Sequence, residues 1–240
     1  MKIKRLTIWT LFCIWLLCGC GQGPSPTAEP VTAAAVSVET AMEEPPSIET
    51  TVLPRESTSL SPELAAFDQV FCGTRAITRS ASGDSIMLSK ISLFFSVEEF
   101  PWMVVQVAVL DLDGDGDLEA VLEVENNMGY VILEYQNGSV LGTEIWYRAF
   151  QDLKADGSYR GSGSSFDCYY WQYGADGPIL LAARYETETG APYYSLSGEE
   201  ASGEDFGIFE ETQRQKENAP WYPSWEAYLA AINDLQKRSA

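Results

Sequence analysis

The composition of the chain changes near residue 60, and this change limits where a packed domain can form. Residues 21–60 contain six prolines, many Thr, Ser, Ala and Glu residues, and no aromatic residue. Such a segment cannot bury enough apolar surface to offset the entropy lost on ordering. Every tyrosine and five of the seven tryptophans lie after it. We therefore predict a disordered tether over 20–60 and a single folded domain over 61–240, which is long enough for one core.

The first nineteen residues have the pattern of a bacterial export signal. Three basic residues stand among the first five, and an apolar run follows over 6–17. This run of about 12 to 14 residues is shorter than the ~20 residues that span a bilayer. The sequence Leu17-Cys18-Gly19-Cys20 then fits a lipobox, which predicts cleavage after residue 19 and acylation of Cys20. The alternatives are an ordinary secretory signal with incidental cysteines, or an uncleaved anchor.

The charge of the chain narrows the choice of partners. The formal net charge is −20 at pH 7, and a surface this acidic repels nucleic-acid phosphates and anionic lipid headgroups. Nucleic-acid binding is therefore not expected. Attachment to the membrane is expected through the N-terminal lipid, because two or three acyl chains together bind a bilayer stably. The same charge favours cations, calcium above all, as partners.

The chain contains no histidine, which removes several kinds of site. A Ser-His-Asp or Cys-His nucleophile pair and a His-built zinc site are impossible. Of the five cysteines, Cys72 and Cys168 remain after the signal and the lipidated residue are set aside. These two form either one disulfide closing a long loop or two buried thiols, and the sequence does not decide between them because it gives no Cβ–Cβ distance.

Short apolar segments separated by tight turns dominate the folded region and predict a mostly antiparallel β-meander sheet. Asn137-Gly138 is a strong hairpin signal, because both residues tolerate a positive φ. In Leu118–Glu125 apolar and acidic residues alternate, with Val121 as the exception. The predicted strands are 76–80, 85–95, 103–110, 118–125, 130–135, 139–146, 158–162, 167–173, 178–186 and 193–196.

Helices are predicted at both ends of the folded region. Ser61 and Pro62 suit the first positions of a short helix that Gly73 ends. Helical patterns over 202–218 and 224–237 predict two more, the first beginning at Ser202 with Asp205 three residues on. The predicted fold class is α+β: a mostly antiparallel β-meander sheet with a short N-terminal helix and two C-terminal helices.

One motif carries recognisable chemistry, the Asp-rich loop over residues 111–119, with sequence DLDGDGDLE. Carboxylates at alternate positions can converge on one cation, and Gly116 allows the sharp turn that brings them together. A flexible cage of hard oxygen ligands favours Ca²⁺ over Mg²⁺ and transition metals. The alternative is a solvated acidic turn. The predicted structural Ca²⁺ site comprises Asp111, Asp113, Asp115, the backbone carbonyl of Asp117 and the carboxylate of Glu119.

The loop resembles the calcium loops of EF-hands and dockerins, and more closely the strand–loop–strand loops of integrin-type FG-GAP repeats. An EF-hand has helices on both sides and Glu at the twelfth position, whereas here the flanks are β-rich and Leu122 stands there. The resemblance therefore implies a calcium-binding β-hairpin. Through 147–150 and 154–157, the domain is also similar to uncharacterised lipoproteins of gut Firmicutes; this similarity implies a lipid-anchored sheet domain and no particular activity.

These features favour a lipid-anchored, extracytoplasmic binding or interaction module with a structural calcium site and no enzymatic activity. Its ligand would be a surface protein or a glycan, and dense aromatic residues over 146–225 are either a stacking platform or core residues. One alternative is an extracytoplasmic enzyme acting on glycans through a pair of carboxylates. Another is an accessory subunit of a membrane complex. Arg148, Lys154 and Arg160 are read as solvated strand ends rather than as an anion site.

Overall fold

Three α-helices and twelve strands form the part of the chain that the computed structural model describes, residues 60–97, 103–175 and 177–239. These residues belong to one compact unit. The predicted signal over 1–19, Cys20, and all of the predicted tether except Leu60 lie outside the described residues. The helices are α1 (Pro62–Phe71), α2 (Gly203–Gln215) and α3 (Trp225–Ser239). The strands are β1 (Ile77–Arg79), β2 (Ser85–Ile86), β3 (Val104–Leu110), β4 (Glu119–Val124), β5 (Gly129–Gln136), β6 (Ser139–Trp146), β7 (Ser158–Gly161), β8 (Cys168–Gln172), β9 (Ile179–Glu186), β10 (Pro192–Leu196), β11 (Glu199–Glu200) and β12 (Trp221–Tyr222).

The predicted α+β class is confirmed, and the strands divide into two sheets. The seven-stranded sheet has the order β12-β3-β4-β5-β6-β1-β2, and the five-stranded sheet has the order β11-β10-β9-β8-β7. Neighbouring strands pair antiparallel throughout, apart from the parallel pair β1 and β6. The Asn137-Gly138 turn joins β5 and β6 with φ of 50° and 81°, as the sequence predicted.

Helices and sheets stack in layers around three apolar clusters. The first cluster joins one face of the seven-stranded sheet to α1, α3 and the segment 88–95. The second lies on the opposite face of that sheet, which we call the inner face. It includes Tyr159 of β7 and Tyr173, which directly follows β8 of the five-stranded sheet. The third joins the five-stranded sheet to α2 through Phe206. The seven-stranded sheet is therefore covered on both faces.

This double coverage explains the irregular pattern of β4. The sequence suggested one apolar and one acidic face, with Val121 out of place. In the structure Val121 is fully buried on the inner face, and Glu119 on the same face is only 6% exposed. A sheet covered on both sides needs apolar residues on both, so its central strands are nearly continuous apolar runs.

The helix starts follow local capping. The Ser61 hydroxyl accepts a hydrogen bond from the Leu64 N–H, and the Ser202 hydroxyl accepts one from the Asp205 N–H at 3.1 Å. Helix α2 ends at Gln215 rather than at residue 218, because the backbone of the next residues bonds to that of 153–155. No helix among the described residues is both long enough and apolar enough to cross a bilayer.

The predicted strand over 85–95 is wrong for most of its length. Only Ser85–Ile86 pairs as a strand, and Leu88–Phe95 forms two short 3-10 turns that meet at Lys90. The apolar residues Leu88, Ile91 and Phe94 recur every third position, which is the period of a 3-10 helix. Ile91 and Phe94 are each 1% exposed and belong to the first apolar cluster.

Candidate functional site

The Asp-rich loop joins β3 to β4, two antiparallel strands near the centre of the seven-stranded sheet. Gly114 and Gly116 have φ of 81° and 98°, a region that glycine enters without steric cost. The sharp turn expected at Gly116 is therefore present. The loop is a hairpin connection, not the helix–loop–helix of an EF-hand.

Backbone N–H groups of the loop hold the carboxylates of its first half in place. Asp111 accepts from the Gly114 N–H at 2.8 Å through Oδ1 and from the Gly116 N–H at 3.1 Å through Oδ2. Asp113 accepts from the Asp115 N–H at 3.2 Å, and Asp115 from the Asp117 N–H at 2.8 Å. Each carboxylate thus receives a donor that partly offsets its charge.

Three of the predicted ligands come together. One carboxylate oxygen from each of Asp111, Asp113 and Asp115 lies within 4.8 Å of the other two. Two oxygens bound to the same Ca²⁺ at the usual ~2.4 Å are at most about 4.8 Å apart, so the spacing suits a shared ion of this size. Burial is the largest cause that raises the pKa of Asp113, and the charges of Asp115 and Asp111 raise it further.

The carboxylates of Asp117 and Glu119 are not part of this group of three. The side chain of Asp117 is exposed. The carboxylate of Glu119 turns into the inner face, where it accepts a hydrogen bond from the Leu112 N–H at 2.7 Å. Burial raises the pKa of Glu119 to about 8, although the Leu112 bond lowers it. In this arrangement Glu119 therefore stabilises the loop backbone from the buried inner face.

The back of the loop packs against the turn before β7. Leu112 is fully buried in the second apolar cluster. A Cβ atom added at Gly157 would lie 2.0 Å from the Leu112 carbonyl oxygen, so the two backbones are in close contact. The Gln172 side chain also donates to the Asp156 carbonyl at 2.7 Å, which fixes this turn to β8. The Asp-rich loop thus contacts both sheets.

The two remaining cysteines have different surroundings. Cys72 is exposed at the end of α1, Cys168 is fully buried on β8, and both are free thiols. The Cys168 sulfur accepts a hydrogen bond from Arg160 Nε at 3.2 Å. The disulfide alternative is therefore absent, and the alternative of two buried thiols holds for Cys168 but not for Cys72, whose thiol is free but exposed.

A second polar group was not predicted from the sequence. Lys154, which was predicted to be a solvated strand end, is only 4% exposed. Its Nζ donates to Asp152 Oδ1 at 2.8 Å and to Asn218 Oδ1 at 2.7 Å. Nothing in the local sequence predicts this, because Asn218 lies 64 positions away and meets Lys154 through the pairing of two loop segments.

This group borders a cavity of about 210 Å³ on the inner face, which we call the Trp221 cavity. Three aromatic residues and one leucine line its apolar part, and two amide residues and one aspartate line its polar part. Its lining residues are Gln106, Tyr130, Phe150, Asp152, Leu153, Asn218 and Trp221.

The aromatic residues considered as a binding platform divide between core and surface. Trp225 is 2% exposed and Tyr170 and Tyr173 are buried, whereas Trp146 is 56% exposed. Trp221 is half-buried beside its cavity. Comparisons of the chain with protein-family models, with curated proteins and with solved structures find no match.

Proposed function

We propose that this chain is a lipid-anchored protein of the extracytoplasmic face of a bacterial membrane, and that its folded domain is a non-enzymatic binding module with one structural Ca²⁺ site. The calcium site is proposed because the carboxylates of Asp111, Asp113 and Asp115 converge at one hairpin turn. The lipid anchor is proposed because a lipobox ends at Cys20 and a proline-rich segment follows it.

A bound calcium ion would stabilise the β3–β4 hairpin of the seven-stranded sheet. Three like charges at the tip of a hairpin repel one another, and a divalent cation would neutralise most of that charge. Because the loop also packs on the Asp156-Gly157 turn, an ordered loop supports the contact between the two sheets. A single site of this kind has a dissociation constant of roughly 10⁻⁴ to 10⁻³ M, as in other extracellular modules.

A binding role is favoured over catalysis by the side chains that the sequence provides. Without histidine, acid–base chemistry near neutral pH would depend on carboxylates, Tyr or Lys. The convergent carboxylates sit on an exposed turn, where they are suited to holding an ion rather than to enclosing a substrate away from water.

Calcium binding is tested by thermal unfolding of the full chain with EDTA and with excess Ca²⁺. At 100 times the dissociation constant the ion should add about 2.7 kcal/mol to the free energy of unfolding, which raises Tm by roughly 5–10 °C for a domain of this size. Asp111→Asn combined with Asp113→Asn should abolish the rise.

The control for that variant is Asp117→Asn, which removes an exposed charge from the same loop but keeps the backbone carbonyl. It should retain most of the calcium-dependent rise in Tm. If calcium moves Tm of none of the three proteins and calorimetric titration gives no heat, the calcium proposal is wrong.

Lipid anchoring is tested by detergent-phase partitioning and by the mass of the N-terminal peptide. Cys20→Ser should block cleavage after Gly19 and acylation, because it removes the thiol at the one position where the lipobox predicts that the lipid is attached. Cys18→Ser is the matched control and should leave both unchanged, since residue 18 is removed with the signal. Normal processing of the Cys20→Ser chain would contradict the proposal.

A further inference from the structure

The Trp221 cavity combines flat apolar walls with fixed polar groups. The ring centroid of Tyr130 lies 5.2 Å from that of Phe150 and 6.1 Å from that of Trp221. The planes of Tyr130 and Trp221 are inclined at 44°, so the two rings do not stack face to face. Phe150 is 0% and Tyr130 is 7% exposed, so the half-buried Trp221 supplies most of the aromatic surface that a ligand would contact. An aromatic surface of this kind favours a ligand with an apolar face of its own.

The polar side of the cavity is held rigidly. The segment 153–155 pairs with 217–219 through Ala219 N–H to Leu153 carbonyl at 3.0 Å and Ala155 N–H to Glu217 carbonyl at 2.9 Å. Lys154 bonds to Asp152 and Asn218 across this pairing. The side chains of Asp152 and Asn218 are therefore held in position before a ligand binds, which reduces the entropy that binding costs.

The bonds of Lys154 also determine what the rim can offer. Lys154 bonds to Oδ1 of Asn218, which leaves the NH₂ group of this lining residue as a donor. It likewise occupies Oδ1 of Asp152, which leaves the second carboxylate oxygen as an acceptor. Gln106 donates to Glu123 through Nε2, and its carbonyl oxygen is a further acceptor. Donors and acceptors thus surround an aromatic wall.

We propose that the Trp221 cavity binds the pyranose ring of a neutral sugar. A pyranose has apolar C–H faces and a rim of hydroxyl groups that both donate and accept, which matches the wall and rim just described. The volume of about 210 Å³ is below the ~300–1,000 Å³ of sites for larger ligands, so the cavity takes one ring, such as the end of a glycan chain.

Charge argues against an acidic sugar or a phosphate as the ligand. Among the described residues, those that line the cavity include no Lys or Arg, and the neighbouring Lys154 is already paired with Asp152. The chain as a whole has a net charge of −20. An anionic ligand would meet this excess negative charge without an unpaired base on the rim. This inference rests on the proposed binding function and names the class of its ligand.

The test uses the full chain in a detergent that has no sugar headgroup. Glucose, galactose, mannose and N-acetylglucosamine are the neutral probes, and glucuronate is the anionic one. Saturation-transfer NMR detects contact, and the change in tryptophan fluorescence gives the affinity. We expect at least one neutral sugar to bind with a dissociation constant on the order of 1 mM, and glucuronate to bind at least tenfold more weakly.

Two variants locate the site. Trp221→Leu removes an aromatic wall, and Trp146→Leu, at an exposed tryptophan outside the cavity, is its control. Asn218→Asp keeps the oxygen that Lys154 needs but replaces the NH₂ donor by an acceptor. Trp221→Leu and Asn218→Asp should each weaken sugar binding at least tenfold, while Trp146→Leu leaves it unchanged and Tm of Asn218→Asp does not fall.

The outcomes separate this inference from the proposed function. Sugar binding that both Trp221→Leu and Asn218→Asp retain would overturn the cavity as the site. Absence of binding by every neutral sugar, in a chain that still shows the calcium-dependent rise in Tm and the lipid on Cys20, would overturn the sugar inference alone. Stronger binding of glucuronate than of the neutral sugars would overturn the assigned ligand class.

Discussion

At the scale of single residues, Gly157 fixes how closely the Asp-rich loop approaches the turn before β7. Its φ is 77°, and a Cβ atom there would lie 2.0 Å from the Leu112 carbonyl oxygen. Two independent restrictions thus act at one position: the backbone conformation disfavours any other residue, and the neighbouring backbone leaves no space for a side chain.

Gly157→Ala should lower the free energy of unfolding by about 2–4 kcal/mol, because strain from the positive φ and from overpacking add. Gly138→Ala is the matched control. Gly138 has a similar φ of 81° but no atom within 4 Å of an added Cβ. Gly138→Ala should therefore lower the free energy of unfolding by only about 1 kcal/mol. Urea unfolding measures both, and equal losses would contradict the close contact at Gly157.

Single residues also show what the sequence could and could not predict. The Asn137-Gly138 turn was predictable because its signal is local: two adjacent residues that both accept positive φ. The three converging aspartates were predictable for the same reason. The burial of Lys154 was not, because it depends on Asp152 and on Asn218 in a distant loop, and the side-chain position of Glu119 depends on coverage by a second sheet.

At the scale of elements, α1 and α3 are joined by one aromatic side chain. The Trp225 ring stacks on Phe71 with centroids 4.7 Å apart and an interplanar angle of 3°, and it meets the edge of Phe67 at 6.5 Å. Its indole N–H donates to Asp68 Oδ1 at 2.9 Å. The first and last helices of the domain therefore share one buried contact, although they are far apart in the chain.

Trp225→Phe should lower the free energy of unfolding by about 1–3 kcal/mol, because it removes the indole N–H and leaves part of the ring volume empty. Trp146→Phe is the control, since Trp146 is 56% exposed and its replacement should cost less than about 0.5 kcal/mol. Chemical unfolding monitored by far-ultraviolet circular dichroism measures both. A loss at Trp225 no greater than at Trp146 would contradict this role.

Elements were predictable where their signals were local. Ser61-Pro62 begins α1 and Ser202 begins α2, as capping chemistry indicates. The segment 88–95 was missed because its apolar period of three fits neither the strand nor the α-helix pattern. The end of α2 was placed too late because the competing partner of 216–219 lies in another part of the chain.

At the scale of the whole molecule, the hairpins were predictable and their assembly was not. Each antiparallel pair from β3 to β6 connects neighbours in sequence, so turn signals define it. The parallel pairing of β1 with β6, the addition of β12 beside β3 and the division into two sheets all join distant segments. These pairings depend on complementary surfaces that no short window of sequence contains.

The net charge of −20 predicts that salt stabilises the whole domain. Raising the NaCl concentration from 0.01 M to 0.15 M shortens the Debye length from about 30 Å to about 8 Å and screens repulsion among the acidic side chains. With EDTA present to exclude calcium, Tm should rise. The rise should be smaller for the Asp111→Asn and Asp113→Asn double variant, and an unchanged or lower Tm in the unaltered chain would contradict this.

Both sheets end in very short strands. The strands β12, β2 and β11 have two residues each, and β7 has four, with an additional bridge from Gln151 to Arg160. A long open edge invites another chain to add a strand, whereas an edge of two residues gives such a chain almost nothing to hold. The outermost strands β12, β2 and β11 therefore offer little free backbone for pairing with a second copy of this domain.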